Sequence, residues 1–599
     1  MADCDGIAMA ATAESIDQKR IKAAYWIGTL LVLMVAAVLS GLLHPVHFPR
    51  VKVVPVIWHL PFDALCSLCR MFAAYIISLV FALSVGIYAA QKPGSAKIIM
   101  PILDILQSIP IVTFFPAALG VAVSLLGGGS LGFEVAAVLL IFTSMAWNMA
   151  FSVYDSVRAI PHDIIEGAES FGIRGSQRLF TITLPACIPG LLFNSILSWA
   201  AGWFALTACE ILPIKNVKLN GLGSFIANAQ NSTQPLLMGI IGVAALLTVV
   251  ISLEFFIWRP LGVWAERFRY EMTVSTMSRD RRGILGWYQH GFIPRLLMRR
   301  IVAPLNSAAN AVIGSARGVA QSIVLPRVEV PGVQTRIWYF LLRFIGWAGA
   351  AALLLYGIYY VYKVVSRNFP PLAWDIPEYI GFSYLRILVA YLLSLAWTIP
   401  LVLWATRRPR ILRAISSVAQ ILASLPAISL TFLVVDIFII KLHLGKFLGV
   451  ELACLFLLMN GVQWYVLFNM LGGVSKIPGD LLEACGAMGL SRWQKFRNLM
   501  LPAMLPSLLT GSLTAFGGGW NTLIFSEYIS YSGQNYSRPG MGWLLDVASG
   551  LAPSKLSPGQ CSALLLLGVT SLIVFIVVVN RLVWKRLQQW AFEKYRLDY

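Results

Sequence analysis

"EGAESFGIRGSQRLFTITLP" occupies Glu166–Pro185, and "EACGAMGLSRWQKFRNLMLP" occupies Glu483–Pro502. The two are equal in length and layout, each with a glutamate and small residues, a glycine, a basic stretch and a closing Leu-Pro. Gly172 and Gly489 give each segment a residue free to take positive φ at a turn. Pro185 and Pro502 suit the first turn of a helix, where no N–H is required. Each segment therefore predicts an amphipathic helix, a glycine turn and a basic stretch, ending where an apolar helix begins.

The surroundings of these segments set the fold class. Of 599 residues 58% are hydrophobic and only 12% charged, far from soluble composition. A hydrocarbon core of roughly 30 Å needs about 20 apolar residues of helix. Runs of that order, such as "AAYWIGTLLVLMVAAVLSGLL" and "LLLLGVTSLIVFIVVV", recur along the chain. Alternating ten-residue segments are absent, which argues against a barrel. The reading is an all-α polytopic membrane protein of about twelve spans. They fall near 23–43, 64–90, 98–126, 133–156, 188–211, 233–258, 337–364, 382–405, 413–440, 449–472, 504–526 and 559–581. The first is not read as a cleavable signal, since it follows a stretch holding Asp3, Asp5 and Glu14 and exceeds an h-region in length.

Cations orient the chain, because Lys and Arg collect on the cytoplasmic side. Lys19, Arg20 and Lys22 precede the first span, and twelve Arg against four acids lie from Arg259 to Arg336. The C-terminus reads "RLVWKRLQQWAFEKYRLDY". Both termini and the central linker are thus expected in the cytoplasm. The net charge of +19 is accounted for by cations beside an anionic leaflet, with no nucleic acid required.

The chain is also a tandem repeat. "RMFAAYIISLVFALSVGIYAAQKPG" from Arg70 and "RILVAYLLSLAWTIPLVLWATRRPR" from Arg386 match at an offset of 316, with Tyr75 on Tyr391, Ser78 on Ser394 and Pro110 on Pro426. Further along the offset is 317, placing Trp147 on Trp464, Pro161 on Pro478, Glu166 on Glu483, Gly172 on Gly489, Trp203 on Trp520 and Glu210 on Glu527. Six spans per half make the repeat parallel. The division expected is a first repeat over 1–270, a basic linker over 271–335 and a second repeat over 336–599. Both opening segments fall between the fourth and fifth spans of their half, on the cytoplasmic side.

Those segments resemble the signature of importer-type ABC permeases, Glu-Ala-Ala followed after three residues by Gly and nine residues beyond that by Ile-x-Leu-Pro. Glu166, Gly167, Ala168, Gly172, Ile182, Leu184 and Pro185 fit it, with Gly167 for the first Ala. Glu483, Ala484, Cys485, Gly489, Leu499, Leu501 and Pro502 fit it again, with Cys485 for the second Ala and Leu499 for Ile. "AAGWFALTACEIL", "GLGSFIANAQ" and "WRPLGVWAERFR" are similar to the nitrate/sulfonate/taurine branch, and the duplication resembles its fused, duplicated permeases.

The resemblance implies a type I importer-like fold and a permease, not an enzyme, carrying a small anionic solute of the nitrate, sulfonate or bicarbonate kind. It implies two ABC ATPase subunits docked on the two segments, a periplasmic or lipid-anchored substrate-binding protein outside, and one copy of this chain per transporter. ATP and magnesium would sit on the ATPase partners. The sequence agrees in having no Gly-x-x-x-x-Gly-Lys-Ser/Thr loop, since "LGKF" at 444–447 lacks the earlier Gly and the hydroxyl.

Glu210 and Glu527 stand out as pathway candidates because carboxylates are expensive in a bilayer. The other reading places them at headgroup level, capping a helix or paired with a cation such as Lys215. Trp203 and Trp520 read either as a gate or as packing. Pro110 and Pro426 break or kink the third span of each half, which leaves backbone N–H groups that an anion would accept. Cys66 and Cys69 have redox spacing within an apolar span and read as small hydrophobes. His44 and His47 carry no further ligand spacing. Glycines 127–129 and 517–519 read as turns or close helix packing, not phosphate loops. The competing class is an ion-coupled carrier of two six-helix halves; it needs charges deep in the spans, and the sequence offers Glu134 and Asp436 only near span ends.

Overall fold

An apolar run in a bilayer must satisfy its backbone within itself, and helices do so. The computed structural model describes residues 57–111, 130–211, 219–265 and 355–595, short interruptions within these ranges aside. The helices of the first repeat are α1 Leu60–Gln91, α2 Pro93–Ser108, α3 Ser130–Arg158, α4 His162–Ser170, α5 Leu184–Ile211, α6 Leu222–Gln230 and α7 Pro235–Leu253. The second repeat has α8 Ile376–Ala405, α9 Pro409–Ala423, α10 Gly445–Ser475, α11 Leu501–Ser526, α12 Met541–Ala548, α13 Pro558–Val579 and α14 Lys585–Tyr595. A short antiparallel hairpin, β1 Tyr528–Tyr531 with β2 Gln534–Ser537, joins α11 to α12.

Among the described residues eight helices are long and apolar enough to cross a membrane. A ninth span exists if Ala414–Ala423 and Ala427–Lys441 are counted as one segment bent by 83°. The expected span at 23–43 lies outside the described residues, as does most of that at 337–364. The third begins as α2 and leaves them after Ile111. The bend in the second half follows from Pro426, which supplies no N–H to the preceding turn. Hydroxyls inside the spans bond the carbonyl four residues back, as Ser78 does to Ala74 and Ser394 to Ala390, so they cost little in apolar surroundings.

The chain divides into two compact units. One holds 1–61, 159–192 and 253–353; its described part is α4, the turn and helical start after it, and a π turn at Glu254–Trp258 running into Arg259–Ala265. The other holds 62–158, 193–252 and 354–599 and carries most spans of both repeats. Its core packs Ile387 of α8, Val462 of α10 and Leu523 of α11. The α10 and α11 backbones nearly touch, since a Cβ on Gly518 would lie 2.6 Å from the Gly461 carbonyl oxygen. The repeats interlock within this unit. The Phe432 ring lies where a Cβ on Gly239 would stand, the Gln230 amide donates to Thr431 Oγ1 at 2.7 Å, and Phe204 meets Phe525 edge-on at 5.9 Å. Lys585 and Asp104 form an ion pair across the same boundary.

One expectation is corrected. Pro185 and Pro502 do not open their helices, which already run from Gly175 and Arg492. A π turn precedes each proline, at Leu179–Thr183 and at Phe496–Met500. The wider turn relieves the clash and the missing hydrogen bond that proline brings to a helix interior. The two π turns are 317 residues apart, the offset found in the sequence.

Candidate functional site

The most deeply buried charges form one cluster in each repeat. In the first, Arg70 on α1 donates from Nε and Nη2 to Glu134 of α3 at 2.5 and 2.6 Å. Its Nη1 reaches Glu210 of α5 at 2.7 Å and the Asn220 carbonyl at 2.7 Å. Glu210 also accepts from Ser67 Oγ at 2.7 Å and from the Gly223 amide at 2.7 Å, at the start of α6. A helix N-terminus favours that carboxylate. Gly221 allows the approach, because a Cβ there would lie 2.2 Å from the carboxyl group.

The second repeat builds the same cluster. Arg386 holds Glu451 at 2.6 Å, Glu527 at 2.6 Å and the Pro539 carbonyl at 2.8 Å. Ser383 and the Gly542 amide donate to Glu527 at 2.8 and 2.7 Å, and Gly540 occupies the place of Gly221. Arg538 adds a second cation, 2.8 Å from Glu451, and stacks over Phe447. Glu210 is 4% exposed and Glu527 fully buried, so each depends on its arginine. The structure thus places the two pathway candidates in networks that clamp α6 and α12 to the spans, and neither glutamate lines the cavity that the two repeats share. The sequence reading missed Arg70 and Arg386, although both head the segments it aligned. It also missed that Glu134 falls on Glu451 at the offset of 317.

Two smaller ties repeat as well. Tyr75 donates to Ser195 at 3.1 Å, and the Tyr391 and Ser512 hydroxyls bond at 2.7 Å. Trp203 and Trp520 are buried, the first edge-on to Trp199 and the second to Phe575. Cys66 and Cys69 are free thiols on α1.

A cavity of about 530 Å³ lies in the same unit, walled by both repeats. Its polar groups are carboxamides and hydroxyls, among them Gln107, Asn148, Asn460, Asn469, Asn521 and Thr514. Two carboxylates, Asp104 and Asp155, also line it, and no Lys or Arg does among the described residues. A smaller space of about 100 Å³ shares Gln107, Asn148 and Asn521 and includes Trp520. Of the prolines, Pro426 lines the larger cavity. Pro110 does not, but it ends α2 and exposes the Ile111 amide, which donates to Asn521 Oδ1 at 2.5 Å. The free N–H expected at that break is therefore taken by the opposite repeat.

The two signature segments close in the same way. The Ile173 amide bonds the Ala168 carbonyl at 2.9 Å with Gly172 at φ 73°, and the Leu490 amide bonds the Cys485 carbonyl at 3.2 Å with Gly489 at φ 66°. These are left-handed helix ends of the kind glycine permits. Glu166 is exposed and Gly167 half-buried, Ala484 is exposed, and Ile182, Leu184, Pro185, Leu499, Leu501 and Pro502 are half-buried along the following helices. Glu483 lies outside the described residues. A large apolar side chain stands at the tip of each turn, Phe171 86% and Met488 75% exposed, again 317 apart. The sequence reading did not single them out.

Residues 82–259 and 398–589 each match the family described as "binding-protein-dependent transport system inner membrane component". The chain is 26% identical over 189 residues to the taurine transport system permease protein of Escherichia coli (strain K12), an alignment covering 31% of this chain and 64% of that one. It is 30% identical over 189 residues to the glycine betaine transport system permease protein of Bacillus subtilis (strain 168), covering 31% and 62%. It is 25% identical over 185 residues to the bicarbonate transport system permease protein of a Synechocystis strain, again covering 31% and 62%. The chain spans less than two thirds of each of these relatives. The family match covers more than half of the residues and falls once on each repeat: the chain belongs to the binding-protein-dependent transport system inner membrane components.

Proposed function

We propose that this chain is the membrane-spanning permease of an ATP-driven importer, both halves of its pathway fused in one polypeptide. The observation that carries the reading is the repeated segment at 166–185 and 483–502. Each copy turns at a glycine of positive φ, carries an exposed Phe171 or Met488 at its tip, and runs through a π turn into a span. An isolated apolar side chain on a polar turn suits a socket on another protein. Two such tips match two ATPase subunits and one permease chain per transporter, with 271–335 linking the repeats. Both termini and both segments then face the cytoplasm, and a binding protein delivers solute from outside.

The solute proposed is small and carries an oxyanion group, of the nitrate, sulfonate or bicarbonate kind. Support comes from the names of the taurine and bicarbonate relatives and from the amide donors of the cavity. The cavity between two halves that rock against each other provides the passage, while the two Arg–Glu clusters keep each half rigid. Purification from the native membrane in mild detergent, with the complex weighed, tests this. An ATP-binding subunit at two per chain, lost on combining Glu166→Arg with Glu483→Arg, is the expected result. Recovery of the chain alone, with transport driven by an ion gradient and no need of ATP, would favour the carrier.

A further inference from the structure

The buried arginine clusters and the tyrosine–serine ties occur in both repeats, as parts required to build each half would. The cavity's polar lining does not repeat. At the offset of 317, Asn148 falls on Tyr465, Asn521 on Phe204, Asn460 on Thr143 and Asp155 on Gly472; at 316, Gln107 falls on Ala423. Side chains that one repeat has and the other folds without are not needed to build each half. They are where the walls have specialised.

One of them is fixed in orientation and a second is tied to a neighbour. Asn521 Oδ1 accepts from the Ile111 amide at 2.5 Å, and since a backbone N–H only donates, the carboxamide cannot be turned round. Its Nδ2 has no partner among the described residues. Asn148 and Gln107 pair through their carboxamides at 2.9 Å, and whichever of the two donates, N–H hydrogens of the pair are left over. Both side chains line both spaces. Uncharged N–H donors suit an oxyanion that must be released again, because they hold it without the grip of a desolvated cation.

The acids decide what else the solute carries. Asp104 is paired with Lys585, whereas Asp155 forms no ion pair among the described residues, and Arg158 one turn on is engaged with the Tyr154 hydroxyl at 2.9 Å. Asn148, Phe151 and Asp155 follow one another along the cavity face of α3, the acid roughly 10 Å beyond the amide. Phe151 and Trp464 give this stretch aromatic faces, which attract organic cations. Asp155 thus leaves one lining carboxylate without an ion pair among the described residues, and a solute with its own cationic group suits that lining better than a bare anion does.

We propose that this cavity is a solute site for a small zwitterion, its carboxylate or sulfonate on the Asn148 and Asn521 N–H groups and its cationic end turned toward Phe151 and Asp155. The proposal rests on the reading of this chain as a permease. Its test uses the full chain in nanodiscs without ATPase partners, so that the two fail separately. Saturation-transfer NMR reports weak contacts of taurine, glycine betaine, methanesulfonate and tetramethylammonium. Taurine and glycine betaine are expected to give signals and to compete, with methanesulfonate and tetramethylammonium weaker. Asn521→Asp and Asn148→Asp keep the acceptors that Ile111 and Gln107 need, so both fold, and each lowers zwitterion binding by about tenfold. Asp155→Asn brings methanesulfonate level with taurine. No zwitterion signal, equal signals from methanesulfonate in the wild type, or binding untouched in both asparagine variants would overturn the proposal. Zwitterion binding in a chain that never recruits an ATPase would leave this site standing and remove the importer.

Discussion

Arg70 and Arg386 each hold two carboxylates from two other helices, and such a knot is worth more intact than its parts suggest. Removing one partner strands a buried charge, so Glu210→Gln or Arg386→Met is expected to cost about 3–5 kcal/mol. Thermal unfolding in detergent should show the Arg70→Met, Glu210→Met pair losing less than the sum of the single changes. Gly540→Ala should weaken the second clamp, because a Cβ there would lie 2.3 Å from a Glu527 carboxylate oxygen. Asp546 on α12 titrates differently. Burial, with Glu527 nearby, pushes its carboxyl well above the ordinary value. The folded chain then keeps a proton that the unfolded chain releases near pH 3.9. Stability is lost as pH rises from there through the folded value. Asp546→Asn should therefore raise the unfolding temperature at neutral pH and leave it unchanged near pH 4. Hydropathy could not reveal these residues, since one arginine among twenty apolar neighbours barely moves a window average. The repeat could have done so, because Arg70, Glu134 and Glu210 all have charged counterparts of the same kind.

At the scale of elements, spans and turns were legible and their junctions were not. The lengths of α1, α3, α5, α8, α10 and α11 follow from apolar runs. The same runs gave no hint that Pro185 and Pro502 lie inside continuous helices, because a π turn is a response to local strain with no composition of its own. The 83° bend falls where Pro426 was expected to break or kink the span, although its angle was not legible. The signature glycines were read correctly as turn residues, and their φ values permit a prediction. Gly489→Ala is expected to cost about 1 kcal/mol in stability, measured by thermal unfolding, through the left-handed conformation alone. Met488→Glu, which leaves the backbone free, should instead spare stability and weaken recovery of the proposed ATPase subunits when the chain is purified from its membrane in mild detergent.

For the whole molecule, duplication was legible and the interlocking of its copies was not. Contacts from Lys585 to Asp104, Gln230 to Thr431 and Ile111 to Asn521 run between residues hundreds of positions apart, beyond the reach of any local pattern. They predict that a chain cut within 271–335 and expressed as two pieces still purifies as one complex in detergent, and that Asn521→Leu loosens it.

The unlike walls of the cavity carry a last consequence. A pathway made from two identical subunits offers any asymmetric passenger two equivalent poses, related by rotation. Here Asn148 stands in one wall where Tyr465 stands in the other, so the two poses are no longer equivalent. The symmetry number falls from two to one, at an entropic cost of only RT ln 2, about 0.4 kcal/mol. In exchange a bound solute takes a single azimuth about the membrane normal, the direction along which the two parallel repeats are related.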